Sequence, residues 1–214
     1  MQKSVIGKSF FDYLIYLPKD YNEKKKYPLI LFLHGAGERA NGQGNLDMLK
    51  LHGLPKLCET MDFDAIILSP QCKQDLVWVS FTIQLKQLID EIIEQYSVDE
   101  KAISITGLSM GGFGSFQMLM DFPKLFSGAV VICGGGMEWR ASTIVDIPIR
   151  IFHGEQDTIV LPSHSKQMYS ALVANGAKDV ELVLYPDGDH GIWGRVYETT
   201  DSINWLITRR NNRS

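Results

Sequence analysis

The sequence predicts an α/β protein with a largely parallel central sheet and helices on both faces. Three observations predict it. Short unbroken apolar runs recur along the chain, and amphipathic stretches of helical period separate them. No internal repeat, low-complexity tract or Pro/Ser-rich linker divides the 214 residues. An apolar run of four to eight residues without alternation suits a strand buried on both faces, which a helix-covered parallel sheet provides. Strand and helix alternating five or six times points to that sheet rather than to separate layers.

The elements follow in order. Residues 11–17 (FDYLIYL) half-alternate and stop at Pro18, as an early strand would. Tyr27 and Pro28 lead into LILFL at 29–33, and the same character returns at 65–68, 102–106, 128–133, 147–152 and 180–185. Each run gives way to Gly, Pro or Ser. Phe81, Leu85, Leu88, Ile89, Ile92, Ile93 and Tyr96 form one apolar stripe at helical spacing, opposite Lys86, Gln87, Asp90, Glu91 and Glu94. Residues 113–120 read as a helix, 163–175 as another with Gly176 as its stop, and 195–207 as a closing helix.

Composition narrows the class. A hydrophobic content of 45% with 21% charged residues fills a core, which excludes disorder as the main state. A chain of this length holds one or two domains, and the lack of any boundary favours one over residues 1–214. The net charge is −4. The only basic clusters are Lys24, Lys25 and Lys26, then Arg209, Arg210 and Arg213; they read as a solvated turn and a terminus. No nucleic-acid partner is expected. No stretch reads as a secretory signal or reaches the roughly 20 apolar residues of a membrane span, so no membrane partner is expected either. Cys58, Cys72 and Cys133 have no metal-like spacing. A reduced, cytoplasmic protein is expected.

The chemistry concentrates at residues 104–112, SITGLSMGG. An apolar run passes directly into G-x-S-x-G and then into a helical stretch, the setting of a nucleophile elbow. Small residues must flank a serine held in so tight a turn, and Gly107 and Gly111 meet that demand. Serine is a weak nucleophile unless a histidine takes its proton and an acid orients that histidine. In this class of site the acid follows the serine and the histidine comes last. The strand-like run before His153 and Gly154 delivers Asp157, and the next run, ending at Tyr185, delivers His190 through a loop. Glu155 competes for the acid role, but its place directly after the His153-Gly154 turn favours Asp157. Asp187 and Asp189 read as turn residues beside Gly188, and His153 as a backbone-bonding residue of its own turn. His52 and His164 read as surface or helix residues. His34 opens the HGAG segment after the early strand. The backbone N–H groups of Ala36 and Met110 are the expected oxyanion donors, with His34 propping the loop.

Together these segments resemble the compact serine carboxylesterases of the α/β-hydrolase superfamily. The resemblance is to phospholipase/carboxylesterases and "predicted peptidases" related to feruloyl esterases and polyhydroxybutyrate depolymerases. It rests on LHGAGERANG (33–42), SPQC (69–72) with Trp78 behind it, GLSMGGFGSF, FHGEQDTIVLP (152–162) and YPDGDHGIW (185–193). By that resemblance Ser109 is the nucleophile, His190 the base, Asp157 the acid, and Ala36 and Met110 the oxyanion hole. The family often places Asn or Asp after the histidine, where this chain has Gly191. Glu38-Arg39 matches the family loop and reads as a buried ion pair, with substrate contact as the alternative.

The interval 134–146 is too short for a lid domain, which predicts an open cleft and small soluble acyl or aryl esters as substrates. Gly35, Gln71, Trp78, Trp139 and Trp193 are the expected substrate-binding residues, with Met137 also available as a wall. No metal or organic cofactor is expected. Two alternatives stand beside the esterase: a peptidase of the prolyl-oligopeptidase kind, and a non-catalytic small-molecule-binding protein on a hydrolase scaffold.

Overall fold

A computed structural model describes residues 2–41 and 45–211 of the chain. Gly42, the last residue of the loop motif, and Arg213 of the terminal basic cluster lie outside them. Eight strands form one sheet: β1 (Gln2–Val5), β2 (Tyr13–Tyr16), β3 (Tyr27–Leu33), β4 (Ile66–Pro70), β5 (Val98–Leu108), β6 (Gly128–Ile132), β7 (Ile149–Gly154) and β8 (Val180–Tyr185). Their order is β1-β2-β4-β3-β5-β6-β7-β8. From β4 through β8 every pairing is parallel, while β1–β2 and β2–β4 are antiparallel. This is the mostly parallel sheet that the alternating runs predict, in the arrangement that the resemblance implies.

Strand β1 has no counterpart among the sequence-predicted runs. Its residues, QKSV, are half-exposed or exposed, because an edge strand buries little and needs no apolar run. It is held by backbone pairing to β2, with Gln2 opposite Tyr16 and Val5 opposite Tyr13.

Among the described residues six α-helices complete the fold: α1 (Gly53–Leu57), α2 (Thr82–Gln95), α3 (Met110–Asp121), α4 (Ser163–Ala174), α5 (Trp193–Thr199) and α6 (Ser202–Thr208). They divide between the two faces of the sheet. Leu29, Leu31 and Leu33 of β3 join Leu85, Leu88, Ile89 and Ile92 of α2, Phe116 of α3 and Met168 of α4 in one core. Ile30 and Phe32 point the other way, to Leu54 of α1, Val196 of α5 and Leu206 of α6. The period-2 alternation of a strand thus feeds two cores, which is why LILFL carries no polar position. The predicted closing helix is instead two, broken at Thr200, whose backbone is extended. The Thr200 hydroxyl bonds Val196 O at 2.6 Å and accepts from Ser202 N at 3.2 Å. Such local side-chain bonds compete with helical continuation. Helix α4 does end as expected, just before Gly176 at φ 92°.

Candidate active site

Four loops leave the carboxyl ends of parallel strands on one edge of the sheet: those after β3, β5, β7 and β8. Open α/β sheets place their ligand sites on that edge. At the end of β5 the chain turns through Ser109, at φ 54° and ψ −119°, and enters α3 at once. A non-glycine residue in that region is strained, and the surrounding chain must hold it there. Close packing does so. A Cβ on Gly111 would stand 1.9 Å from Leu33 O, and one on Gly107 would stand 2.3 Å from Gly111 O. Only glycine lets the helix start pass this near the strand ends.

The β7 loop brings Asp157 and the β8 loop brings His190 to this serine. His190 Nε2 lies 2.9 Å from Ser109 Oγ, and His190 Nδ1 lies 2.6 Å from Asp157 Oδ2. The other carboxylate oxygen, Oδ1, accepts from the N–H groups of Ile159 and Val160, each at 2.9 Å. Burial pushes the Asp157 carboxyl up. The His190 hydrogen bond, the two N–H groups and the His190 charge outweigh it and hold the group below the usual carboxylate range. An ionised Asp157 accepts a proton-bearing Nδ1, which leaves Nε2 free to accept from Ser109. The hydroxyl is therefore set to lose its proton to the ring. The rival acid, Glu155, faces Lys166 at 3.4 Å instead. Asp189 closes its own turn by accepting from Gly191 N at 2.8 Å, and Asp187 pairs with Arg195 at 3.0 Å.

A second, wholly buried arrangement meets the first at Asp157. His153 Nε2 lies 2.8 Å from Val160 O and 3.2 Å from Asp157 Oδ2, while its Nδ1 lies 2.7 Å from Ser165 Oγ. Burial lowers the His153 pKa. Ser165 is fully buried, with its hydroxyl 2.9 Å from Gly134 O. The Ser165 hydroxyl and His153 imidazole therefore sit behind the cleft and brace Asp157, whereas Ser109 opens into it. Cys133 Sγ belongs to the same buried knot, 3.6 Å from His190 O. Burial raises that thiol to about 12, so it stays protonated.

The cleft over Ser109 has a volume of about 340 Å³ and is lined by Gly35, Ala36, Gly37, Glu38, Leu51, His52, Leu108, Ile159, His190 and Trp193. A larger groove of about 830 Å³ runs along the β1–β2 edge past Tyr16, Lys19, Lys50 and Glu59. It contains no hydroxyl–imidazole pair, so chemistry points to the smaller space. Ala36 opens a short 3-10 turn directly after β3, and Met110 is the first residue of α3. First-turn N–H groups of a helix have no partner within it; Ala36 lines the cleft, and Met110 follows Ser109 directly.

Of the expected substrate-binding residues, Gly35 and Trp193 line the cleft, and the ring of Trp193 stands edge-on to His190 at 5.4 Å. The other three are placed elsewhere. Trp78 is fully buried, donates from Nε1 to His34 O at 3.0 Å and packs on Phe11. Gln71 is buried and ties two loops by donating to Glu38 O and Asn45 O. Trp139 projects into solvent at 77% exposure, on the 3-10 helix Glu138–Thr143. Met137 is half-buried against the core. Large aromatics fill whatever space packing leaves, and sequence order does not reveal which space that is.

Glu38-Arg39 is also corrected. Arg39 donates to Leu76 O at 2.6 Å and to Ala36 O at 3.4 Å. Glu38, 4% exposed, turns into the cleft, 3.9 Å from His34 Nδ1 and 4.0 Å from His52 Nε2. His52 is a cleft residue that sequence reasoning missed, as are Leu51 and Ile159. It is half-exposed, and its ring meets Trp193 edge-on at 5.6 Å. Its only signal was its place just before Gly53, the αL residue (φ 62°) that starts α1. His34 does prop its loop. Its Nε2 accepts from Cys72 N at 2.9 Å, so the ring proton lies on Nδ1 and faces Gly35 O. Burial lowers its pKa to about 4.

The sequence pattern of the phospholipase/carboxylesterase family matches residues 55–204. A thermostable esterase of known crystal structure superposes with a TM-score of 0.80 at 31% identity, over 98% of this chain and 63% of its own. Among curated relatives, probable feruloyl esterase C of Aspergillus oryzae is 28% identical over 157 residues, 70% of this chain and 56% of its own length. Dipeptidyl-peptidase 5 of Porphyromonas gingivalis is 23% identical over 230 residues, 83% of this chain and 32% of its own length. The chain thus spans from 32% to 63% of the length of these relatives. Among the described residues, no helix is long and apolar enough to cross a membrane.

Proposed function

The chain belongs to the phospholipase/carboxylesterase family, and on that premise we propose that it is a serine carboxylesterase of small, short-acyl or aryl esters, with Ser109, His190 and Asp157 as its catalytic residues. The observation that carries the reading is the continuous hydrogen-bonded chain from Ser109 Oγ through His190 to Asp157, open to the cleft at its serine end.

In this reading His190 Nε2 takes the Ser109 proton as Oγ bonds to the ester carbonyl carbon. Asp157 stabilises the resulting imidazolium, and the carbonyl oxygen, now negative, rests on the N–H groups of Ala36 and Met110. The C–O bond to the alcohol breaks as His190 returns its proton to the leaving oxygen. A water then gives its proton to His190, attacks the acyl-enzyme, and releases the acid with Ser109 restored. No step calls on a metal or organic cofactor. The small cleft and the short 3-10 helix in residues 134–146 support small substrates. Residues 1–214 are taken as one hydrolase domain, because strands from 2 to 185 share one sheet and helices to 208 pack on it. The unpaired, buried cysteines support a reducing, cytoplasmic setting.

A fluorophosphonate probe is expected to label the wild type and not Ser109→Ala. Absence of labelling in the wild type would favour a binding protein on a hydrolase scaffold. The similarity to Dipeptidyl-peptidase 5 keeps a peptidase as the second reading. Phenyl acetate and a peptide anilide, assayed together, separate the two; comparable kcat/KM on the anilide would replace the esterase with the peptidase.

A further inference from the structure

Glu38 is a buried carboxyl that the acyl-transfer chemistry above does not use. It lines the same cleft as Ser109. The point where a Gly35 Cβ would lie is 3.3 Å from Glu38 Oε2 and 3.7 Å from Ser109 Cβ. Residue 35 has no side chain, and the atom nearest that point is Leu108 Cδ1 at 2.9 Å. A substituent one or two carbons from a scissile carbonyl spans that interval.

The neighbours of Glu38 leave its carboxyl with acceptor capacity to spare. Arg39 is committed to Leu76 O and Ala36 O. The Nδ1–H of His34 faces Gly35 O, and burial keeps that ring neutral. His52 Nε2 is 4.0 Å from Oε1, beyond hydrogen-bond reach. The backbone N–H groups of Gly35 and Glu38 and the His52 ring favour the ionised form, yet burial prevails and raises the pKa. Among the described residues, no side chain donates to this carboxyl within hydrogen-bond distance. A carboxylate has about four acceptor sites, of which the two backbone N–H groups take two, so an incoming donor finds one open. Leu51 and Ile159 at the rim are apolar, and beyond Ser109 and His190 the other titratable side chain on the walls is His52.

We propose that Glu38 is a specificity-determining residue that selects esters whose acyl chain carries a hydrogen-bond donor, hydroxyl or ammonium, on the second or third carbon. This inference rests on the esterase reading and names the substrate class of that site.

The test compares phenyl butyrate, phenyl 3-hydroxybutyrate and phenyl 3-aminobutyrate on the wild type, Glu38→Gln and Glu38→Leu. Thermal melts and fluorophosphonate labelling certify each variant as folded and assembled. In the wild type, kcat/KM for a donor-bearing ester is expected to exceed that for butyrate by about 10-fold or more, the worth of one well-placed hydrogen bond to a charged group. A larger preference for the amine marks ammonium recognition, and an equal one marks a general donor site. Glu38→Leu is expected to abolish the preference. Glu38→Gln, which keeps an acceptor but loses the charge, is expected to erase the amine preference and retain part of the hydroxyl preference. If all three esters slow by one common factor in the variants, or if the wild type shows no preference, Glu38 only holds its loop and the proposal fails. If no ester turns over in the wild type, the esterase reading itself fails.

Discussion

Replacing Asp157 with Asn tests the relay where it is most constrained. The carboxylate takes two backbone N–H groups on Oδ1, and on Oδ2 it takes His190 at 2.6 Å and faces His153 at 3.2 Å. An amide in the same place keeps its oxygen toward Ile159 and Val160, since those two donors are fixed by the backbone. Its NH2 then points at His190 Nδ1. The ring answers by shedding the Nδ1 proton and carrying it on Nε2, where it faces Ser109 Oγ as a donor and can no longer accept. The substitution thus switches the tautomer with little change of shape. Loss of tautomer control of this kind costs about 10⁴-fold in kcat, or about 5.4 kcal/mol of transition-state stabilisation. The assay is kcat/KM on phenyl acetate beside the rate of fluorophosphonate labelling, with circular dichroism to verify the fold. Both rates should fall together. A loss smaller than about 10-fold, in a variant that still melts like the wild type, would show that Asp157 does not govern the His190 proton.

Three further outcomes follow from the packing. His34 is buried and neutral when folded, with a pKa lowered to about 4, whereas an unfolded imidazole titrates near 6.5. The unfolded chain therefore binds the extra proton first. Stability is full above about pH 6.5, declines through the window from 6.5 to 4, and by pH 5 is lower by on the order of 2 kcal/mol. Urea melts of the wild type and His34→Asn at pH 7.5 and pH 5 measure it, and a wild-type difference no larger than the variant's removes His34 as the cause. Gly111→Ala drives a Cβ to 1.9 Å from Leu33 O and should prevent assembly of the elbow, while Gly194→Ala, with nothing within 4 Å, should be neutral or raise the melting temperature slightly. Equal melting temperatures for the two variants would contradict the close approach of α3 to β3. Trp78→Ala empties a fully buried site and should cost about 3–5 kcal/mol, whereas Trp139→Ala, at a 77% exposed residue, should stay within about 0.5 kcal/mol. Chemical denaturation reads both, and a costly Trp139→Ala would mean that its face is covered in solution.

The sequence by itself determined the parallel sheet, the elbow and the order of the site loops, because each is written in local chemistry. A doubly buried strand must be apolar at every position, as in residues 29–33. The turn at Ser109 requires Gly107 and Gly111 whatever else the chain does. Asp157 and His190 stand just past the ends of β7 and β8, so strand periodicity alone places them on the same edge. Tertiary structure decided what depends on partners distant in the chain. Trp78 became core because it bonds His34, and Gln71 a loop tie because it reaches Glu38 O and Asn45 O. The edge strand β1 exists only through its pairing with β2. Glu38 left Arg39 for the cleft, and His52 came to face it beside Trp193. A residue's type and spacing state its local preference. Which neighbour satisfies a buried polar group is settled only when separate loops arrive at one place, and the character of this cleft was settled there.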